Sequence, residues 1–258
     1  MYIIARMRFR VVRAAVVALG VAAAACSSPF GRHYEYEEQL YLRVDGAASV
    51  VVDASIPALV ALRGVPLDTS AAARLDRQEI RRILELTGCT VDNVGQPWRR
   101  KGRRFVQVRM STTDVRTLSK CGLLSWSVYS LAAADNQLRY HQVVGAPTAR
   151  DPGPVNWDGS ELVAFKLHLP SRIHDHNVKL LDGTNGTTER GNILTWEQTL
   201  AARRTGTPID MNVGMDATSI LYTTLWLFGG AFVAAVIVLI LIIWWTVRRG
   251  RKMTRFPA

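Results

Sequence analysis

The sequence predicts an α+β fold, in which a mostly antiparallel sheet has one or two helices packed on it and a C-terminal transmembrane helix follows. Three observations predict it. Short segments alternate apolar and polar residues between turn residues, as antiparallel strands do. One segment, 70–87, has helical periodicity. A run of 23 uncharged residues, Leu225–Val247, is long enough to cross a hydrocarbon core about 30 Å thick.

Residues 1–26 have the features of an export signal. A basic head holds Arg6, Arg8, Arg10 and Arg13, and an apolar run then extends to Ala25. Cys26 comes directly after three alanines, which is typical of a bacterial lipoprotein signal and predicts attachment of a fatty-acid anchor such as palmitate. Two alternatives stay open: an ordinary cleaved signal in which Cys26 has no role, and an uncleaved anchor.

The C-terminal 40 residues, 219–258, predict the membrane topology. Residues 219–247 form the predicted transmembrane segment, with Tyr222 and Trp226 marking one interface. The tail, 248–258, is basic, and under the positive-inside rule it is cytoplasmic. Residues 27–218 are therefore predicted to form one extracytoplasmic domain, held close to the membrane at both ends.

The net charge of +11 comes almost entirely from the two ends of the chain. The signal and the tail carry nine cations and no acid, which leaves 23 Lys and Arg against 21 Asp and Glu. The basic character therefore reflects membrane insertion and predicts no binding of nucleic acid.

Lipidation of Cys26 would leave two cysteines, Cys89 and Cys121, in an oxidising compartment where a disulfide can persist. A bridge between them would stabilise the domain by about 3–4 kcal/mol on the chain-entropy description. Two buried free thiols are the alternative that the sequence leaves open.

The elements of the domain follow from local patterns. Residues 34–52 predict two strands turned at Asp45-Gly46, and 70–87 predict a helix capped by Thr69 or Ser70 and ended by Gly88. A further predicted hairpin has CTVDNV and RFVQVRM flanking WRRKGRR, and a short helix is predicted over 113–120. Strands near 123–133 and 137–144 are predicted to turn at Asp135-Asn136. A loop over 146–160 and strands in ELVAFKLHLP, NILTWEQTL and IDMNVGM follow.

The segment HLPSRIHDHN places three of the five histidines, His168, His174 and His176, within nine residues. In an extended strand His174 and His176 share a face and Asp175 points away. Three imidazoles could ligate zinc, which would indicate a metal-dependent envelope hydrolase. No HExxH helix and no evident fourth ligand accompany them, so the favoured interpretation is a strand, a turn and a polar loop, with no metal.

The segment WRRKGRR holds five cations beside an indole. Its residues are Trp98, Arg99, Arg100, Lys101, Arg103 and Arg104. A solvated hairpin tip is one interpretation. Contact with anionic lipid headgroups is the other, and there each cation near the surface contributes about 1 kcal/mol.

Nucleotide and hydrolase motifs such as GxGxxG, GxxxxGK[ST] and GxSxG do not occur in the sequence. We therefore expect neither an enzyme nor a cofactor.

The chain resembles the LppM-like family of bacterial surface lipoproteins. The resemblance rests on the strand YEYEEQLYLRVDG, on LHLPSRIHDHN followed by GNILTWEQ, on Cys26 and on the C-terminal membrane helix, and it covers most of 33–246. The matching positions are Leu169, Pro170, Asn177, Asn192 and Trp196; Ser171 stands where the family commonly has glycine. The resemblance implies a non-enzymatic envelope domain similar to lipid-carrying folds, and it supplies no catalytic residues.

Together these features predict a membrane-anchored domain of the bacterial envelope that binds a lipid or another apolar component, or that scaffolds an envelope protein. A cleft between the sheet and the 70–87 helix would take the lipid chain, and the basic hairpin would take its headgroup. The hydrolase and a sensor that signals through the membrane helix are the alternatives.

Overall fold

The computed structural model describes residues 32–70 and 72–253. The signal segment with Cys26 and the end of the tail lie outside these residues. The strands are β1 (Tyr34–Leu42), β2 (Ala48–Ser55), β3 (Val91–Val94), β4 (Trp98–Arg100), β5 (Arg103–Thr112), β6 (Ser127–Ala134), β7 (Gln137–Val144), β8 (Leu162–His168), β9 (Ile173–His176), β10 (Ile193–Thr199) and β11 (Ile209–Asp216). The helices are α1 (Ile56–Arg63), α2 (Arg77–Leu86), α3 (Leu200–Arg204), α4 (Ile220–Met253) and a 3-10 helix (Val115–Lys120).

The strands form two sheets. A seven-stranded sheet has the order β10-β8-β1-β2-β5-β3, with β4 also paired to β5, and a four-stranded sheet has the order β6-β7-β11-β9. The pair β1 and β8 is parallel and the other pairs are antiparallel. The predicted α+β class and the mostly antiparallel pairing are confirmed, and the strands divide between two sheets where the sequence suggested one.

The two sheets share one core. The ring of Trp126, which directly precedes β6, contacts Tyr36 at 5.2 Å and Phe165 at 5.6 Å on the seven-stranded sheet. The carboxylate of Glu38 on β1 accepts hydrogen bonds from Tyr129 and Gln142 on the four-stranded sheet. Apolar packing and a buried polar network therefore hold the sheets together.

The predicted hairpins are present. The β6–β7 turn uses Asp135 and Asn136, both with positive φ (50° and 61°), the geometry that a two-residue hairpin requires. The predicted 113–120 helix is a 3-10 helix, and 146–160 is a loop.

Helix α2 is shorter than the predicted helix over 70–87. Its N-cap is Asp76, whose carboxylate accepts from the Gln78 amide at 2.8 Å, so Thr69 and Ser70 were the wrong choice of cap. Ile80 and Leu84 face the core. Residues 72–75 are non-helical, and the Ala73 carbonyl accepts from Arg104 at 2.6 Å.

Helix α1 has no counterpart in the sequence prediction. Ser55 caps it by accepting from the Ala58 amide, Gly64 ends it with φ 64°, and all eight of its residues are buried. A helix that is apolar on every side has no amphipathic period, so its pattern does not separate it from the strand before it.

The predicted bridge between Cys89 and Cys121 is confirmed. It joins the segment after α2 to the end of the 3-10 helix, and both residues are buried.

Candidate functional site

The basic segment forms a tight hairpin of β4 and β5. Trp98 pairs with Phe105, Arg99 with Arg104 and Arg100 with Arg103. The turn consists of Lys101 (φ 48°) and Gly102 (φ 76°). Because side chains alternate across strands, the pairing sends the cations to both faces of the hairpin, and they meet different surroundings.

Arg103 is turned into the protein. Its guanidinium lies 2.7 Å from the Glu35 carboxylate and 3.6 Å from that of Glu161, and all three side chains are about 5% exposed. It also donates to the Asn156 carbonyl at 3.0 Å. Arg103 therefore joins the loop that precedes β8 to β1, and its charge is balanced inside the protein.

Arg100 is half-buried. Its guanidinium lies 4.2 Å from the centre of the Phe105 ring and donates to the Tyr34 carbonyl. Burial lowers the pKa of Arg100. This residue fixes the hairpin to the first residue of β1.

Trp98, Arg99 and Arg104 line a hollow of about 350 Å³, which we name the Trp98 hollow. Its other lining residues are Ala72, Ala73, Arg74, Leu75 and Pro97. Arg104 forms its floor, where it donates to the carbonyls of Ala73 and Asp68. Burial lowers the pKa of Arg104, and the nearby charge of Arg99 adds to this effect. The hollow thus combines three guanidinium groups with apolar walls.

The indole of Trp98 is held in place and yet accessible. It stacks on Phe105 with ring centres 5.7 Å apart, and Trp98 remains 37% exposed. Arg74 and Lys101 are exposed. Of the residues that the sequence singled out, the structure gathers Trp98, Arg99 and Arg104 at the hollow and places Lys101 at the hairpin tip. It adds Arg74 and Leu75, which the sequence assigned to a helix.

His168 and His174 lie on different sheets and have separate partners. His168, on the seven-stranded sheet, stacks on Tyr41 at 4.0 Å and contacts Gln39 at 3.2 Å, and burial lowers its pKa. His174, on the four-stranded sheet, lies 2.6 Å from Asp216. Within 32–70 and 72–253 no group of three or more His, Cys, Asp or Glu side chains is arranged to hold a metal.

The predicted shared face of His174 and His176 is wrong. The pairing of β9 with β11 shifts register between Gly214 and Met215. This irregularity brings His174 and Asp175 to the outer face, where they contact Asp216 and Arg139. The Nδ1 atom of His176 is buried. A β-bulge breaks the simple alternation on which the prediction relied.

Helix α4 is long and apolar enough to cross a membrane. The candidate span is Ile220–Thr246, with a mean hydropathy of 2.8. None of the most apolar 18-residue window of this span is buried inside the structure, whereas a core helix of that composition would be. The helix therefore fits a membrane-associated protein.

The fold and these surfaces define an α+β domain with a candidate membrane helix at its C-terminus. No protein-family profile matches the chain, and no curated protein matches it. The chain is similar to the folded domain of LppM from Mycobacterium tuberculosis, solved by NMR, with 12% identity and a TM-score of 0.39 over 75% of this chain and 96% of that one. Because the two folds superpose only distantly, the likeness defines no ligand or site for this chain.

Proposed function

We propose that this protein is a membrane-anchored domain of the bacterial envelope that binds an anionic lipid, with the headgroup in the Trp98 hollow. Helix α4 would be the anchor, the domain would lie outside the cytoplasm, and Cys26 would carry a second, lipid anchor. The long apolar helix, the basic residues after it and the export-type signal support this arrangement. The Cys89–Cys121 bridge is consistent with an oxidising compartment.

The observation that carries the proposal is the composition of the hollow. Arg74, Arg99 and Arg104 supply positive charge, which suits a phosphate or carboxylate group. Trp98 and Leu75 supply apolar surface beside them, and indoles favour the headgroup level of a bilayer. An anionic headgroup with an apolar tail matches both parts.

The test compares soluble short-chain lipids. Titrating the full chain in a neutral detergent with short-chain phosphatidylglycerol should give saturable binding by calorimetry, and short-chain phosphatidylcholine should bind more weakly. Arg74→Ser combined with Arg99→Ser should weaken the phosphatidylglycerol binding about tenfold or more, since each cation contributes about 1 kcal/mol. Added salt should reduce the difference.

A matched control removes the same charge elsewhere. Arg150→Ser combined with Arg190→Ser changes two exposed arginines that do not line the hollow. Equal losses in both double variants would indicate a general charge effect, and equal affinity for the two lipids would contradict headgroup recognition. Either result would leave the protein scaffold as the better hypothesis.

The proposal includes no catalytic activity. The hydrolase alternative needs His168, His174 and His176 on one metal, and the separate partners of His168 and His174 give it no support. Zinc analysis of the purified chain tests this point: stoichiometric zinc that is lost on combining His174→Ala with His176→Ala would favour the hydrolase.

A further inference from the structure

The start of α4 is fixed to the domain by backbone hydrogen bonds. The amide of Ile220 donates to the Pro170 carbonyl at 3.0 Å, and that of Ala217 donates to the Asn136 carbonyl at 3.0 Å. Ser219 caps the helix by accepting from the Leu221 amide at 3.2 Å. The helix therefore leaves the domain at a defined place, between the β6–β7 turn and the segment that follows β8.

An apolar groove of about 410 Å³ lies where α4 leaves the domain, and we name it the junction groove. It is lined by Val44, Ala217, Thr218, Ser219, Leu221, Tyr222 and Leu225. Leu221 and Leu225 are one helical turn apart and lie on the same face of α4. Val44 comes from the β1–β2 turn, so the groove has one wall on the domain and one on the helix.

Backbone hydrogen bonds hold the β1–β2 turn and thereby position Val44. The Gly46 amide donates to the Arg43 carbonyl, and the Gly46 carbonyl accepts from Val115 at 2.8 Å. The side chains of Arg43 and Asp45 form an exposed ion pair at 2.8 Å on either side of Val44. Val44 is 36% exposed. A β-branched residue between two charged neighbours thus points an apolar surface at the groove.

The position of the groove relative to the membrane indicates its occupant. Leu221, Tyr222 and Leu225 belong to the candidate span Ile220–Thr246, so the groove opens where the helix enters the bilayer. A bilayer supplies acyl chains next to that interface, and the apolar lining of the groove disfavours polar ligands. We propose that the junction groove holds one acyl chain of a membrane phospholipid, which packs between Val44 and α4 and stabilises the domain against the membrane helix.

This inference shares with the proposed function only the insertion of α4 in a membrane. The hairpin that carries Trp98 is fixed to Tyr34 at the start of β1, whereas Val44 follows the end of β1. The junction groove recognises the apolar chain and the Trp98 hollow the charged headgroup, so one site can fail without the other.

The test uses photo-crosslinking in lipid nanodiscs. A diazirine-bearing residue replaces Val44 in the full chain, reconstituted in phosphatidylcholine containing phosphatidylglycerol, and mass spectrometry detects lipid adducts after irradiation. The same residue at Leu227, 71% exposed on α4, reports insertion of the helix. The same residue at Val128, 69% exposed on the four-stranded sheet, is the matched valine control.

Adducts at positions 44 and 227, with none at 128, are expected. Filling the groove with Thr218→Trp should then lower the adduct at 44 about tenfold and leave that at 227 unchanged. An unchanged adduct at 44 in Thr218→Trp, or none at 44 in the parent, would overturn the groove. A crosslink from 44 to a second protein chain would overturn it in favour of a protein occupant. Loss of the adduct at 227 would instead remove the membrane anchor on which both proposals depend.

Discussion

The Glu38 carboxylate on β1 lies 3.2 Å from the Tyr129 hydroxyl on β6, and this buried hydrogen bond connects the two sheets. Tyr36 and Gln142 donate to the same carboxylate at 3.1 and 3.3 Å. Burial raises the pKa of Glu38 despite these donors. The folded chain therefore holds the Glu38 proton to a higher pH than the unfolded chain, and the charged form opposes folding.

We expect Glu38→Gln to change the pH dependence of stability. The buried charge lowers the free energy of unfolding at pH values above the folded-state pKa. This loss disappears as the pH falls to the ordinary carboxyl pKa of about 4. The amide keeps one acceptor and gains donors for the tyrosine oxygens, so the variant should be more stable than the parent at pH 8. Thermal unfolding of the detergent-purified chain from pH 4.5 to 8 measures this. Glu79→Gln on α2 is the exposed control, and a variant less stable at pH 8 would contradict the assignment.

Removing the Cys89–Cys121 bridge should destabilise the domain by about 3–4 kcal/mol, because the unfolded chain regains the entropy of the closed loop. Replacing both residues with alanine and measuring denaturant unfolding gives the value. Reductant should lower the stability of the parent chain to that of the variant and leave the variant unchanged. Two reactive thiols in the unfolded, unreduced parent would show that the bridge is absent.

Gly214 leaves space for an ion pair across the four-stranded sheet. Arg139 on β7 and Asp175 on β9 meet at 3.0 Å over β11, and a Cβ on Gly214 would overlap the Asp175 carboxylate. We expect Gly214→Ala to displace this flexible carboxylate at a cost of about 0.5–1 kcal/mol, since the pair is exposed. Asp175→Ala should cost no more, and the double variant should show non-additivity. Additive losses would mean that Gly214 acts through another contact.

Lipidation is predicted at Cys26. Cells labelled with a fatty-acid analogue should yield a labelled chain, and Cys26→Ser should abolish the label because the thiol is the acceptor. Ser27→Ala is the neighbouring control and should keep it. Unchanged labelling of Cys26→Ser would place the modification elsewhere or refute it.

The topology is predicted from the basic tail. A cysteine at Thr254 should react with an impermeant maleimide only after the cells are opened, whereas a cysteine at Val128 should react on intact cells. The two positions act as controls for each other. Labelling of 254 from outside would reverse the predicted orientation.

Local patterns predicted most of the strands because their apolar faces pack on a core while the other faces meet solvent. They missed α1 because it is buried on all sides, and β9 because it is short and pairs through a bulge. Local patterns also could not predict the division into two sheets, because that division depends on which strands pair.

The sequence predicted the basic hairpin, but it did not predict which of its cations are buried in ion pairs and which line the hollow. Arg99 and Arg103 look alike in WRRKGRR, and only tertiary structure places Arg103 against Glu35 and Glu161. Arg74 joins the hollow because Arg104 binds the carbonyl of its neighbour Ala73. A contact between segments 31 residues apart leaves no periodic signal.

The length of strand β1 separates the two proposed lipid-binding surfaces. Its nine residues span about 27 Å at the usual rise of a strand, close to the thickness of a hydrocarbon core of about 30 Å. The β4–β5 hairpin, which carries Trp98, is fixed to its first residue by Arg100, and Val44 follows two residues after its last. Both surfaces can touch one bilayer only when β1 lies nearly parallel to the membrane. If β1 were perpendicular to the membrane, the hollow would lie almost a membrane's thickness from the bilayer surface. The surface charge of the bilayer should therefore change the angle between β1 and the membrane plane.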